Sequence, residues 1–320
     1  MRSVQGATIV LTGASSGIGQ LAALNFARRG AKLVLAARNE AALQQVANEC
    51  RELGAEVIVV PTDVSDAKAV KQLAQVAAVQ FGRIDVWINN AAVGAVGEFT
   101  ETPIEVHDQI IRTNLLAYMH GAHAVLPYFK RQQQGVLINL NSLGGWVPAP
   151  YAVAYTASKF GLRGYSEALR GELSHLADIH ICDIFPAFID TPAIGHAANY
   201  TGRVAKPLPP VYDPQYVVDA MLSLVERPRP AITVGQSANV ARVLNLFFPG
   251  LVRWVMNRGI RSYLQTAEPM PKGSGNVLHP PADGPRIYGG YRSPQSSPAL
   301  LTGVALAAGI VASLYLTVRR

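Results

Sequence analysis

Over the first 235 positions, short apolar runs rich in β-branched residues alternate with longer segments whose apolar positions recur at helical spacing. The runs predict strands at Ala7 to Thr12, Lys32 to Ala36, Glu56 to Val60, Ile84 to Asn89, Val136 to Asn141, Ile179 to Phe185 and Ala231 to Gly235. Between them, helices are predicted near 18–29, 40–53, 66–81, 103–132, 152–176 and 214–226. Strands that are apolar throughout belong in a sheet covered on both faces. The expected fold is therefore α/β, a doubly wound parallel sheet with right-handed crossovers.

Beyond residue 239 the pattern changes three times. Residues 240–267 hold four arginines and no acidic residue, with Phe247, Phe248, Leu251, Trp254 and Met256 as large apolar groups. On a helical wheel Arg253, Asn257, Arg258 and Arg261 fall on one arc and Leu251, Val252, Val255 and Met256 on the opposite one. Such a basic amphipathic segment suits the interface of an anionic membrane, and it equally suits a cap over a cleft of the preceding domain. Residues 268–298 contain seven prolines and five glycines, which predicts an irregular connector and not a further folded layer. Residues 299–318 form a run of 20 uncharged positions followed by Arg319 and Arg320. A helix of that length spans about 30 Å, the thickness of a bilayer's hydrocarbon core, so one C-terminal transmembrane helix is expected. The domain expectation is thus 1–239, 240–267, 268–298 and 299–318.

Charge follows the same division. Residues 1–226 carry 17 basic and 19 acidic side chains, whereas 227–320 carry 11 basic residues against only Glu268 and Asp283. The excess of +7 lies wholly in the last third, which argues against nucleic-acid binding by the larger domain and for an anionic surface meeting the tail. Two cysteines, Cys50 and Cys182, cannot build a disulfide framework, and the seven histidines show no ligand spacing, so no metal is expected. The apolar stretch Ala7 to Leu11 is too short for a signal-peptide core. The sequon Asn199-Tyr-Thr201 is accordingly expected to stay unmodified.

Candidate chemistry begins where the first strand runs into Thr12-Gly-Ala-Ser-Ser-Gly-Ile-Gly19 and a helix. Gly13, Gly17 and Gly19 permit a tight turn and close approach of a pyrophosphate to the helix N-terminus, with Ser15, Ser16 and Ile18 beside it. This is the arrangement of a Rossmann-type dinucleotide site. The second strand ends in Ala36-Ala37-Arg38-Asn39, without the carboxylate that would accept hydrogen bonds from an adenosine ribose. Arg38 suits a 2′-phosphate, which predicts NADP(H), with NAD(H) as the alternative.

Further along stand Asn89-Asn90-Ala91-Ala92, Asn114, Ser142 and Tyr155-Thr-Ala-Ser-Lys159. Here the sequence resembles the short-chain dehydrogenase/reductase family, over residues 6 to about 235, with the motifs in family order. A carbonyl that accepts hydride must also gain a proton, and a phenol of pKa ~10 needs help to exchange one near neutrality. Lys159, one turn beyond Tyr155, can face the same cleft and lower the phenol's pKa. Tyr155 is the expected general acid in reduction and base in oxidation, with Ser142 orienting the substrate oxygen.

The resemblance implies more. It gives Asn114 a water-mediated link to Lys159 in a proton relay, and Lys159 a hold on the nicotinamide ribose. It places Asp63 and Val64 at the adenine, Asn90 and Ala91 along the cofactor, and Pro186 and Thr191 about the nicotinamide amide. It also implies a homodimer or homotetramer formed through the helices at 103–132 and 152–176. Two departures stand out, Ala92 and Ala187 where the family usually has glycine. Substrate contacts are expected from Ser142, Val93, Trp146, Tyr151, Phe188 and the 190–212 segment, an apolar lining that suits a lipophilic small molecule. The expectation is an NADP(H)-dependent carbonyl reductase or alcohol dehydrogenase, anchored to membrane lipid by its C-terminus with the catalytic domain towards the cytoplasm. A 3-oxoacyl-thioester reductase and a membrane-bound NADP sensor without turnover are the alternatives.

Overall fold

In a computed structural model, which describes residues 3–281 and 283–292, seven parallel strands form one sheet in the order β3-β2-β1-β4-β6-β7-β9. The strands are β1 (Thr8–Thr12), β2 (Lys32–Ala37), β3 (Val57–Pro61), β4 (Val86–Asn89), β6 (Gly135–Leu140), β7 (Ile179–Pro186) and β9 (Ala231–Val234). Two two-residue strands, β5 (Ala95–Val96) and β8 (Ala198–Asn199), pair separately. The helices are α1 (Gly17–Arg28), α2 (Glu40–Glu52), α3 (Ala67–Phe81), α4 (Ile104–Ile111), α5 (Ala117–Gln132), α6 (Val153–Glu172), α7 (Ala193–His196), α8 (Gln215–Glu226), α9 (Gln236–Phe247) and α10 (Pro249–Thr266).

The all-apolar strands are buried on both faces because their side chains alternate between two cores. Ile9 and Leu11 of β1, with Leu33 and Leu35 of β2, enter the core under α1, α2 and α8. Val10, Val34 and Ala36 enter the core under α3, α5 and α6. Between β1 and β4 the strand order reverses, and the glycine turn, Arg38, Asp63, Asn90, Ser142 and Thr191 all follow the C-terminal ends of strands in this sheet.

One expected helix is interrupted. The segment predicted as 103–132 is α4 and α5 joined by a π-helical turn at Arg112–Leu116, which carries Asn114. A π-turn inserts an extra residue in the helical ladder and re-aims the side chains it holds.

The wheel predicted for 240–267 holds in part. Leu251 is buried and Val252 and Met256 half-buried, whereas Val255 is exposed together with Arg253, Arg258 and Arg261. Helix α9 starts at Gln236, so the boundary expected at 239 falls inside a helix. Among the described residues no helix is long and apolar enough to cross a membrane, and the span expected at 299–318 lies outside them.

The Pro/Gly-rich stretch corrects its expectation. Its described part, though irregular, is laid back against the body. Asn199 and Gly273 exchange both backbone hydrogen bonds at 2.9 Å, and Val277 is fully buried beside Val93, Ala95 and Ala154. Composition predicted the lack of regular structure. It carried no signal of the docking, which rests on the segment's backbone groups, one valine and the ion pairs of Arg292 with Asp190 and Asp213.

Candidate active site

The turn after β1 is tight because its glycines cannot be replaced. Gly13 has φ +67, and a Cβ there would lie 2.8 Å from the Ala91 Cα. The turn is clipped to the end of β4 by Asn90, whose Nδ2 donates to the carbonyls of Thr12 (2.9 Å) and Gly13 (3.1 Å). The Thr12 hydroxyl oxygen accepts from the backbone N–H groups of Asn90 (3.0 Å) and Ala91 (3.2 Å). Asn90 and Ala91 therefore shape the turn, and Thr12 is a contributor that sequence reading missed. Ser15, Ser16 and Ile18 lie half-buried around it, Ile18 packing on the first core.

Arg38 follows β2, where burial lowers its pKa and the neighbouring Asp63 carboxylate opposes the shift. Asp63 itself accepts from the Ser65 N–H (2.9 Å) and hydroxyl (2.7 Å), holding the turn after β3, and the buried Val64 carbonyl meets His120 Nδ1 at 3.2 Å. Pro186 closes β7 opposite Val234, and Thr191, also buried, follows it. These groups fit a dinucleotide: a cradle of glycines, lacking side chains, beside the N-terminus of α1, and a guanidinium at the end of β2.

The catalytic candidates come together. Ser142 caps a short 3-10 turn (Leu143–Gly145), its Oγ accepting from Gly144 N–H at 3.0 Å. Burial pushes the Tyr155 phenol above its ordinary value, and its hydrogen bond with Ser142 pulls it back. Lys159 is buried, its Nζ 5.8 Å from the Tyr155 ring centre and 5.1 Å from that of Tyr118, and it donates to the Leu140 carbonyl at 2.9 Å. Desolvation lowers its pKa from 10.5 to about 7, against the opposing pull of Asp183. The expectation of a phenol pulled down by Lys159 is thus corrected: Tyr155 lies up, and the ammonium beside it is itself destabilised by burial.

Asn114 makes direct contacts of its own. Its amide clamps Val93, accepting from its N–H (2.9 Å) and donating to its carbonyl (2.8 Å), and it donates to Ser158 Oγ at 3.3 Å. The direct partners are thus Val93 and Ser158, and the π-turn is what brings the amide to them. This fixes the loop after β4, where Val93 packs in a small cluster against which Tyr155 rests.

Of the other expected substrate contacts, Tyr151 and Phe188 are half-buried at the loops that border this cleft, Tyr151 with φ +65. Trp146 is clamped between the guanidinium groups of Arg163 (4.1 Å) and Arg242 (3.8 Å) and packs on Phe185. Asn245 of α9 donates to the Trp146 carbonyl at 3.0 Å. Arg163, Arg242 and Asn245 were not foreseen, because nothing in their spacing points to a tryptophan distant in the chain. Ala92 and Ala187, the two departures, do not adopt positive φ, so their methyl groups bring no backbone strain.

A buried polar chain underlies the site. Asn89, Asn139 and Asp183 are register partners on β4, β6 and β7. Asn89 donates to Asn139 (2.9 Å), Asn139 to Ser166 Oγ (3.1 Å) and Ser166 to Asp183 (2.8 Å), which also pairs with Arg170 at 2.9 Å.

Comparison with known proteins agrees with this geometry. The family described as short chain dehydrogenase matches residues 7–199. An uncharacterized oxidoreductase, YxnA, of Bacillus subtilis is 35% identical over 84% of this chain and 76% of its own. The 11-beta-hydroxysteroid dehydrogenase A of Sesamum indicum is 38% identical over 59% of this chain, which spans only 54% of that protein. Among solved structures, a short chain dehydrogenase/reductase from Burkholderia phymatum in complex with NAD superposes with a TM-score of 0.66 at 26% identity, over 86% of this chain and 100% of its own. With the parallel sheet, the glycine turn and the Ser142, Tyr155 and Lys159 cluster in one cleft, the chain belongs to the short-chain dehydrogenase/reductase family of oxidoreductases.

Proposed function

We propose that this chain is an NADP(H)-dependent oxidoreductase that interconverts a lipophilic carbonyl compound and its alcohol at a membrane surface. The observation that carries the chemistry is the convergence of Ser142 and the Tyr155 ring at Gly144, with Lys159 buried behind them, its Nζ 5.8 Å from the Tyr155 ring centre. A bound nicotinamide cofactor supplies or accepts the hydride. Tyr155, kept protonated at neutral pH by burial, donates its phenolic proton to the carbonyl oxygen in reduction and recovers it in oxidation. Ser142 holds the same oxygen and stabilises the charge that develops there. Asn114 keeps the Val93 loop in place against Tyr155. Arg38 supports the choice of NADP(H), since a guanidinium binds a phosphate through charge-assisted hydrogen bonds.

The lipophilic substrate and the membrane rest on helices α9 and α10. Val240, Val243, Leu246 and Phe247 form an outward apolar stripe on α9, with Leu246 73% and Phe247 67% exposed. Trp254 on α10 is 57% exposed near the exposed Arg253, Arg258 and Arg261. An apolar, aromatic and cationic face of this kind matches an anionic bilayer surface. The inner face of α9 holds Trp146, the residue directly after the turn that Ser142 caps, through Arg242 and Asn245, so the helix with the outward apolar stripe also reaches the border of the cleft. The expected span at 299–318 belongs to the same reading, with the catalytic domain on the cytoplasmic side.

Fluorescence titration with NADPH and NADH, followed by a panel of hydrophobic ketones and aldehydes, tests the reading. Tight NADPH binding and turnover lost in Tyr155→Phe are expected; failure to bind either dinucleotide overturns it.

A further inference from the structure

The two groups best suited to hold cofactor phosphates are engaged by the chain's own tail. Arg38 donates through Nη2 to the Asn276 carbonyl (2.5 Å) and through Nη1 to that of Val277 (3.3 Å). The N–H of Gly17, first residue of α1, donates to the Arg286 carbonyl at 2.9 Å. Next to Arg38, Asn39 Nδ2 donates to the Pro281 carbonyl at 2.9 Å. The far end is pinned beside the expected nicotinamide pocket. Asp190 Oδ1 accepts from the Gly289 and Tyr291 N–H groups at 3.1 and 2.8 Å, and Arg292 bridges Asp190 and Asp213.

Resting on the dinucleotide reading above, we infer that residues 276–281 and 283–292 are an internal occupant of the cofactor cleft, a strap that the cofactor must displace. The stoichiometry of donors is the first reason. A backbone N–H has one hydrogen, so the Gly17 amide cannot serve the Arg286 carbonyl and a phosphate oxygen at full strength together. Direction is the second. A lid closing over a bound cofactor leaves the donors of the cleft facing the cofactor, whereas here guanidinium and amide face the strap. The third is chemical ranking: the strap offers Arg38 neutral carbonyl dipoles, whereas a phosphate offers it an opposite charge and two oxygens for the guanidinium fork, so a phosphate-bearing ligand can take Arg38 from the strap. Gly273, Gly275, Gly284, Gly289 and Gly290 supply the backbone freedom to swing away, Gly275 and Gly290 already lying at positive φ.

The strap is open to test on the full chain by hydrogen–deuterium exchange of peptides within 272–292, with and without saturating NADPH. Faster exchange on NADPH addition is expected, because the strap leaves the cleft. In parallel, Arg292→Glu, which sets a carboxylate against Asp190 and Asp213, is expected to tighten NADPH binding by about tenfold in a fluorescence titration. Slower exchange in 272–292, or weaker binding by Arg292→Glu, would make the segment a lid and overturn the inference. Unchanged exchange on a protein that demonstrably binds NADPH would place the strap outside the cofactor's path, which also overturns it. Absence of NADPH and NADH binding by both proteins is a different result: it sinks the dinucleotide reading itself, and the strap with it.

Discussion

The Lys159 ammonium donates to the Leu140 carbonyl at 2.9 Å, inside a pocket that excludes solvent from the lysine almost completely. One carbonyl and two aromatic rings do not replace the hydration of a cation, and the group's pKa falls from 10.5 to about 7. Below pH 7 the side chain is protonated in folded and unfolded chains, and the fold bears the full desolvation cost. As pH rises from 7 towards 10.5 the folded side chain loses its proton while the unfolded chain still binds one, so stability climbs. Lys159→Met removes this dependence. Its melting temperature relative to the native chain is expected to be most favourable near pH 6, with the difference shrinking towards pH 9.5. A difference flat across that range would contradict the buried cation.

Tyr155 and Ser142 separate by kinetics. Removing the proton donor in Tyr155→Phe is expected to cut kcat by about 10² to 10⁴ with NADPH affinity changed far less. Ser142→Ala loses the hydroxyl that holds the substrate oxygen and should cost about 10² to 10³ in kcat. A Tyr155→Phe enzyme of native activity would remove the acid–base assignment.

Arg38→Ala removes the guanidinium that distinguishes a 2′-phosphate from a ribose hydroxyl. Charge-assisted hydrogen bonds contribute about 1.5–3 kcal/mol, so the ratio of NADPH to NADH affinity should fall by roughly 10- to 100-fold. An unchanged ratio would show that the guanidinium does not read the phosphate.

The helix pair yields a surface prediction. In a chain ended at residue 292, so that the 299–318 segment cannot hold the vesicle by itself, replacing Phe247 and Trp254 by Asp should reduce cosedimentation with anionic vesicles by at least about tenfold, since each buries on the order of 1.5–3 kcal/mol of apolar surface in lipid. Binding should also weaken as salt rises, each exposed arginine contributing about 1 kcal/mol near an anionic surface. Equal binding to neutral and anionic vesicles would contradict the role given to Arg253, Arg258 and Arg261.

Asp183 offers a test of the scaffold. Its carboxylate accepts from Ser166 and Arg170 in the interior, so Asp183→Ala leaves the Ser166 hydroxyl without its acceptor and takes from Arg170 its buried counter-charge, with Glu167 and the carbonyls of Ile181 and Pro230 as the guanidinium's remaining partners. The substitution should lower stability by about 3 kcal/mol, read from urea denaturation.

Most of this architecture was legible because it rests on local rules. Continuous apolar runs, the Gly13–Gly19 turn and the four-residue step from Tyr155 to Lys159 each specify their own geometry. What escaped prediction depends on partners distant in the chain. The π-turn at Arg112–Leu116 follows from Asn114 reaching Val93, and helical periodicity alone reads through it. The tryptophan clamp joins Arg163 and Arg242 across 79 positions. The docked tail is held by the carbonyls of Asn276, Val277, Pro281 and Arg286, and a backbone carbonyl is the one acceptor every residue possesses. The pKa of Tyr155 was misread for a related reason, since spacing supplies proximity to Lys159 and says nothing of how dry the pocket is.

The strap is covalently part of the molecule whose cleft it fills, and that changes how its competition scales. A soluble inhibitor is diluted with its target, but a tethered one keeps a fixed effective concentration, on the order of millimolar for a short flexible link. The occupancy of the cleft is therefore independent of how much protein is present and responds only to the free dinucleotide pool. An enzyme built in this way would read the amount of available cofactor before it reads its substrate.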